Sequence, residues 1–493
     1  MPTNLSLIKI IISFVVFCTS VLLLQLLSLH NGFPLLLGDS KNYIWMGLHF
    51  TENSHWSNTY IYFVGKNIQL FNTIEYLPLF QNIMILSLIF SLCHLLFRKN
   101  ILIKYLAIAF GLIFTALPWI SNMVMTDIST SICLLIILIL VNYRLKLKQT
   151  IPLYLAFLML VSWHQSHIVI MPMFLVAALI VKLLQNRSNI KQQLKWIGYN
   201  TLPIIILLVA SFVLEKHLLN PPTPNKKINN TEGAKTGDTS SGYYFVGVRL
   251  WEVNELDNLL SKFCPDNPDN YLCDPNNTSE IKVQISKFRE RNQENEDYLK
   301  LSLDNKEFIL SCLTKPRFYY ALMKVTFQRS FNLLKHTRIK RYEPSIADEP
   351  KIGSFNKSFQ KISKKELREF RHSKQKNGKY VGKFYPKYLI MDKIWWYGIL
   401  PLVILFWIFI KYKNRGVKLL TKESVFVLLA LPIAHLVNTV ICGTFSNANN
   451  FRYSSRTVWL LNLAIILLFI FVVEAKRKIQ SSQNEINRTD TLS

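Results

Sequence analysis

Ionisable and hydrogen-bonding residues sit where a largely apolar chain turns polar, and whatever chemistry the chain does must come from them. Asp39 in "LLLGDSKNYIW" follows a long apolar run, and Asp127 in "SNMVMTD" precedes another. A carboxylate partly removed from water is shifted toward neutral pKa and can take a proton from a hydroxyl. His164 and His167 in "SWHQSH" are imidazoles at i,i+3 spacing that could hydrogen-bond a phosphate or share a metal. Arg452 and Arg456 in "FSNANNFRYSSR" bring guanidinium forks, which stay charged and bind anionic oxygens in pairs, and Tyr453 adds a phenol between them. His435 and Asn438, on one helical face, add a supporting polar edge. Together these groups converge on one face of the chain's apolar segments, and several costly polar groups placed so suggest a site.

Each member also has a plainer role. Asp127, with Ser129 and Thr130, would cap the helix that follows, and Asp39 would cap a short helix through "SKNYIWMGLHF". The two histidines could be interfacial hydrogen-bonders, and the arginines could anchor a helix at lipid headgroups. Joint placement favours a site, because polar groups at membrane depth are costly unless they face a cavity or a partner. No cofactor is demanded by these residues, and a divalent cation shared by Asp39 and Asp127 stays open.

The elements that must carry these residues are membrane spans. Half of the 493 residues are hydrophobic and 18% are charged, which excludes an ordinary soluble fold. About ten segments are near the roughly 20 residues that cross a bilayer core: 7–29, 78–97, 101–120, 129–143, 150–166, 168–184, 196–214, 394–411, 424–442 and 457–474. The first is too long for a secretory signal and has no A-x-A-like cleavage site, so it reads as a retained span. With the N-terminus inside, the inner connections "RKN", "RLKLK", "KLLQNRSNIKQQLK", "KYKNRGVKLLTK" and "EAKRK" are all basic. Both ends are therefore expected in the cytoplasm, and the candidate residues on the outer face.

Two outer segments are long. Residues 30–77 open with the Asp39 stretch, and residues 215–392 form a polar insertion of domain size between spans seven and eight. The expected fold class is an all-α polytopic membrane protein with a mostly helical extracytoplasmic domain, divided as 1–214, 215–392 and 393–493. The net charge of +27 lies partly in the inner loops. Much of the rest is in the insertion, where "KPRFYYALMKVTFQRSFNLLKHTRIKR" has eight Lys/Arg, no acid, and apolar residues at helical spacing. Such a helix lies on an anionic membrane surface, beside a phosphate-bearing ligand, or simply against its own domain. Nucleic acid is excluded as a partner by the outward face. Cys264 and Cys273 bracket "CPDNPDNYLC" and suit a disulfide in an oxidising compartment. Cys18, Cys93 and Cys133 fall in spans, and Cys312 and Cys442 are left over.

The layout resembles the GT-C glycosyltransferases, integral membrane enzymes that use lipid-linked sugars. Asp39 in "GDSKNY", shortly after span one in a long outer loop, matches the place of that group's catalytic acid, and Asp127 matches a second acid between spans three and four. Seven spans before the insertion match the common core, mainly over residues 1–214. The chain lacks the paired acid after span one and the D-x-D of the second loop, which leaves metal dependence open. The resemblance implies inverting transfer of a sugar from a polyprenyl-phosphate donor to a glycan, lipid or protein acceptor at the outer face of a bacterial inner membrane. Asp39 would be the base, Asp127 would orient the acceptor or share a cation, and Arg452, Tyr453, Arg456, His164 and His167 would hold the phosphate. Alternatives are an O-antigen ligase or polymerase, a membrane O-acyltransferase that uses His435 with Asn438, and a non-enzymatic lipid or glycan transporter.

Overall fold

A computed structural model describes residues 4–37, 39–50, 57–97, 100–164, 166–185, 190–213, 256–270, 273, 307–335, 352–377, 379, 403–404, 406–408, 410, 420–445 and 452–490. Among these the chain is helical, with one isolated parallel bridge, Leu35 to Met123, and no strand. Helical stretches Leu7–Asn31, Tyr76–Leu96, His167–Gln185, Lys422–Thr444 and Arg456–Glu474 are long and apolar enough to cross a membrane. Shorter apolar helices are Ile101–Ile113, Asp127–Asn142, Leu147–Val161 and Gly198–Ser211. The protein is an all-helical integral membrane protein. The segment expected to span at 394–411 lies mostly outside the described residues.

The chain divides into two compact units: residues 1–222, 335–437 and 454–493, and residues 223–334 with 438–453. The first contains α1 (Asn4–Asn31), α2 (Ser40–His49), α3 (Asn58–Phe71), α4 (Tyr76–Leu96), α5 (Ile101–Ile113), α6 (Leu117–Ser121), α7 (Asp127–Asn142), α8 (Leu147–Val161), α9 (His167–Gln185) and α10 (Ile190–Val213). Segment 101–120, expected as one span, is broken after Ile113. Thr115 turns its hydroxyl back to Gly111 O at 2.6 Å and accepts the Leu117 amide at 3.2 Å, and Pro118 opens α6. Proline has no N–H for the preceding turn and crowds it, so α5 ends and a short new helix starts.

Helix α7 is buried at every residue from Asp127 to Asn142. Its apolar residues run all round rather than along one stripe, which is the signature of a helix enclosed by others. At its far end Asn142 donates to Glu423 O at 2.9 Å and accepts from buried Lys182 Nζ at 2.8 Å. The lysine is thereby supplied with oxygen partners inside the bundle.

The first long connection is two short helices in close contact. A Cβ on Gly47 of α2 would stand 2.9 Å from Gly65 N and 3.1 Å from Ile61 O of α3, so only glycine admits this approach. Before α2, Leu35 N donates to Asn122 O at 3.0 Å and Leu35 O accepts from Val124 N at 3.1 Å. The stretch leading to Asp39 is thus bonded to the stretch leading to Asp127.

Helices α11 (Leu256–Phe263), α12 (Pro316–Lys335), α13 (Ile352–Ile362), α14 (Lys364–His372), α15 (Lys422–Phe445) and α16 (Arg452–Asp490) complete the labelled elements. Residues 335–437 group with the first unit, although the polar block was expected to run from 215 to 392. Aromatic packing explains it: Phe359 and Phe370 lie 5.1 and 5.8 Å from Phe33 by ring centroid. After α14, Gln375 Nε2 donates to Leu36 O at 2.7 Å and its Oε1 accepts from Leu36 N at 3.0 Å. Ser363 caps α14 by accepting the Glu366 amide at 3.1 Å.

In the second unit, α11 presents Leu256, Leu259, Leu260 and Phe263 on one face to Phe308, Cys312, Phe318 and Val325. Cys264 and Cys273 are joined in a disulfide just after α11. Cys312 is a thiol in this core, pushed above its usual pKa chiefly by burial, and the Cys442 thiol donates to Asn438 Oδ1 at 3.7 Å.

Candidate functional site

The site grows from the start of α7. Thr126 precedes the helix without a side-chain cap, and Asp127 occupies its first turn, where a negative charge is favoured by the helix dipole. Asp127 Oδ1 stands 3.9 Å from Arg456 Nη1, and both side chains are sealed, at 1% and 0% exposure. A guanidinium taken fully out of water needs compensation on several sides. Arg456 finds more at His164 Nε2, 3.3 Å from Nη1, and at Ser166 Oγ, which accepts from Nη2 at 3.1 Å.

The backbone of Arg456 is held as firmly as its side chain. Ser131, one turn into α7, donates its hydroxyl to Arg456 O at 2.6 Å and accepts Trp459 Nε1–H at 2.9 Å. One residue on, Thr457 Oγ1 is 3.0 Å from His435 Nδ1 on α15. His435 is therefore a brace for the first turns of α16. Asn438, buried on α15, accepts the Cys442 thiol.

The two histidines part company. His164 turns to Arg456, whereas buried His167 donates from Nδ1 to Val161 O at 3.0 Å and accepts from Thr130 Oγ1 at 2.9 Å through Nε2. Both nitrogens of His167 are thus engaged, tying α9 to the end of α8 through Nδ1 and to α7 through Nε2. Among the described residues, no group of three or more His, Cys, Asp or Glu comes together in a way that would hold a metal.

Asp39 stands at the entrance to α2, partly exposed, without a side-chain bond to the amides of that helix. Its main-chain oxygen accepts from Asn42 and Tyr43. A polar and aromatic layer connects this helix with Asp127. Tyr43 Oη is 3.5 Å from Thr126 Oγ1, the Tyr43 ring meets Tyr60 edge-on at 4.8 Å, and Tyr60 lies 4.9 Å from Trp163. Burial first, then Tyr43 and the Asp127 charge, push the Tyr60 phenol well above its ordinary pKa, so it stays protonated and can donate. Gln81 gives the layer its anchor. With its amide nitrogen donating to Ser121 O and Met123 O at 3.1 Å each, the other amide atom, 3.4 Å from Tyr60 Oη, is the oxygen that accepts.

Arg452 and Tyr453 begin α16, and their side chains lie outside the description. Residues that the sequence reading missed are Tyr43, Tyr60, Gln81, Ser131, Ser166 and Trp459. The hydroxyls of "DISTSICLL" inside an apolar run were their clearest signal, since each must find a partner. Chemically, the arrangement is a buried cation aimed between a carboxylate and an imidazole, with a partly exposed acid on the adjoining short helix. Comparison with family models, with curated proteins and with solved structures finds no match.

Proposed function

We propose that the protein is a membrane glycosyltransferase that moves a sugar from a polyprenyl-phosphate donor to an acceptor hydroxyl at the outer face. The observation that carries this reading is Arg456, fully buried and held by Asp127, His164 and Ser166 at the start of α16. A preorganised cation in a water-poor site is what a developing phosphate charge requires. The acceptor oxygen attacks the anomeric carbon, Asp39 takes the hydroxyl proton, and the carbon–oxygen bond to the phosphate breaks with its electron pair on the phosphate. Arg456 and His164 receive that charge, with Arg452 and Tyr453 as further donors. Asp127 holds Arg456 in place, and His167, His435 and Asn438 secure the helices around it.

The topology in this reading has ten spans, both ends in the cytoplasm, and residues 215–392 outside, in a bacterial inner membrane. The disulfide between Cys264 and Cys273 supports an oxidising side for that segment. A lipid or glycan transporter is the second reading, favoured by the complete burial of the Arg456 and Asp127 charges.

The test is reconstituted protein given short-chain polyprenyl-phosphate sugars with glycan and lipid acceptors. Release of polyprenyl phosphate with a new glycosidic product, abolished by Asp39→Asn at unchanged expression, is the expected result. Lipid or glycan flux across vesicles without any transfer would establish the transporter instead.

A further inference from the structure

Helix α12 (Pro316–Lys335) has two apolar faces, and among the described residues of the second unit one of them closes onto the core. Phe318, Ala321 and Val325 close onto the core with Phe308 and Cys312. On another face Tyr320, Met323 and Phe327 are 58%, 65% and 73% exposed, at spacings of three and four residues. Large apolar side chains in a row on one helix seldom face plain water.

The depth of α12 is fixed by what it crosses. Ser330 packs on Gly443 of α15 so closely that a Cβ there would stand 2.7 Å from Ser330 Oγ and 3.0 Å from Ser330 N. A few residues earlier, Thr326 Oγ1 is 2.9 Å from Thr444 Oγ1. Gly443 and Thr444 end the apolar stretch Lys422–Thr444, which is long enough to span a membrane. A helix bonded to the last turn of a span lies at headgroup depth, where aromatic rings with one wet edge are favoured. Charge selects the surface: Lys315, Arg317 and Lys324 belong to a run that has no acid from 315 to 341.

We infer that α12 is an interfacial anchor, its Tyr320, Met323 and Phe327 face embedded among the headgroups of a bilayer rich in anionic phospholipid and its lysines and arginine set on their phosphates. Each basic residue near such a surface adds attraction that salt weakens. The glycosyltransferase reading does not depend on this anchor, and the anchor does not depend on that reading.

The test uses the full chain, with exposed Cys18 replaced by serine, in phosphatidylcholine bilayers with and without phosphatidylglycerol. An environment-sensitive fluorophore is placed by Met323→Cys or Phe327→Cys, and by Lys262→Cys on the exposed face of α11 as a reference. Nitroxides on lipid chains near the headgroup should quench the first two labels several-fold more than the reference. Phosphatidylglycerol should strengthen that quenching, and Lys315→Glu with Lys324→Glu should abolish the increment. Labels as wet as the reference would overturn the inference. So would labels shielded from both water-borne and lipid-borne quenchers, which would mean a protein cover. Quenching indifferent to phosphatidylglycerol would overturn the anionic preference and with it the anchor as stated.

Discussion

Arg456 and Asp127 face each other at 3.9 Å with their side chains closed to solvent, one at the start of α16 and the other at the start of enclosed α7. A buried pair of this kind is costly to break from one side, because the surviving charge is left in a low-dielectric interior.

Asp127→Asn should lower stability by about 3–5 kcal/mol, read as a fall in the thermal midpoint of the detergent-solubilised protein. Arg456→Met should cost a similar amount. The double replacement Asp127→Leu with Arg456→Met should recover much of the loss, since no charge remains to be compensated. Sugar transfer should stay absent in the recovered protein. A double variant with full transfer would make the pair a structural tie only.

Close helix contact gives the second prediction. Gly47→Ala places a methyl 2.9 Å from Gly65 N, where backbone rather than a movable side chain must yield. Overpacking of this sort costs about 1–3 kcal/mol. Since α2 carries Asp39 at its entrance, the shift should lower kcat more than it raises the donor KM. An unchanged kcat would separate α2 from the chemistry.

Legibility in the sequence followed the physics of each contact. Apolar length made the long apolar helices readable, and the ionisable residues beside apolar runs drew attention to Asp127 and Arg456. The positions of His164 and His167 were readable, but their different partners were not, because spacing alone does not show which way a ring turns. Ser131 and Trp459 were hidden in segments that read as span interior. The grouping of residues 335–377 with the first unit was hidden as well: Gln375 and Leu36 are 339 positions apart, and a lysine-rich segment looks alike whichever surface it covers.

That distant contact is the third test. Gln375 makes two bonds to the main chain of Leu36, three residues before Asp39. Gln375→Leu leaves a buried N–H and C=O unmatched, at about 1–3 kcal/mol in all. Gln375→Glu keeps one acceptor and should lie between leucine and wild type. Hydrogen exchange at the Leu36 amide should rise in the order wild type, Glu, Leu; equal protection in all three would show that the segment is held without Gln375.

Glu366 supplies the pH dependence. It is sealed against the turn between α3 and α4, where Thr73 donates its hydroxyl to one carboxylate oxygen. Burial above all, then the nearby acids Glu75 and Glu369, raise it to about 7, against the opposing pull of the Thr73 hydroxyl and the Ile74 amide. Lys365 is engaged with Glu369 at 3.6 Å, on the exposed side of α14. An unfolded glutamate titrates near ~4.3. Below that value both states hold the proton and pH has no leverage. From there to about 7 the folded protein keeps a proton the unfolded chain has lost, so stability falls as pH rises and then levels off. Glu366→Gln, which keeps shape and removes the charge, should be neutral near pH ~4 and stabilising near pH ~8 by a few kcal/mol on the linkage scale. Thermal midpoints across that range should therefore cross from equal to higher in the variant. Parallel profiles would assign the slope to other groups and leave Glu366 charged in its buried place.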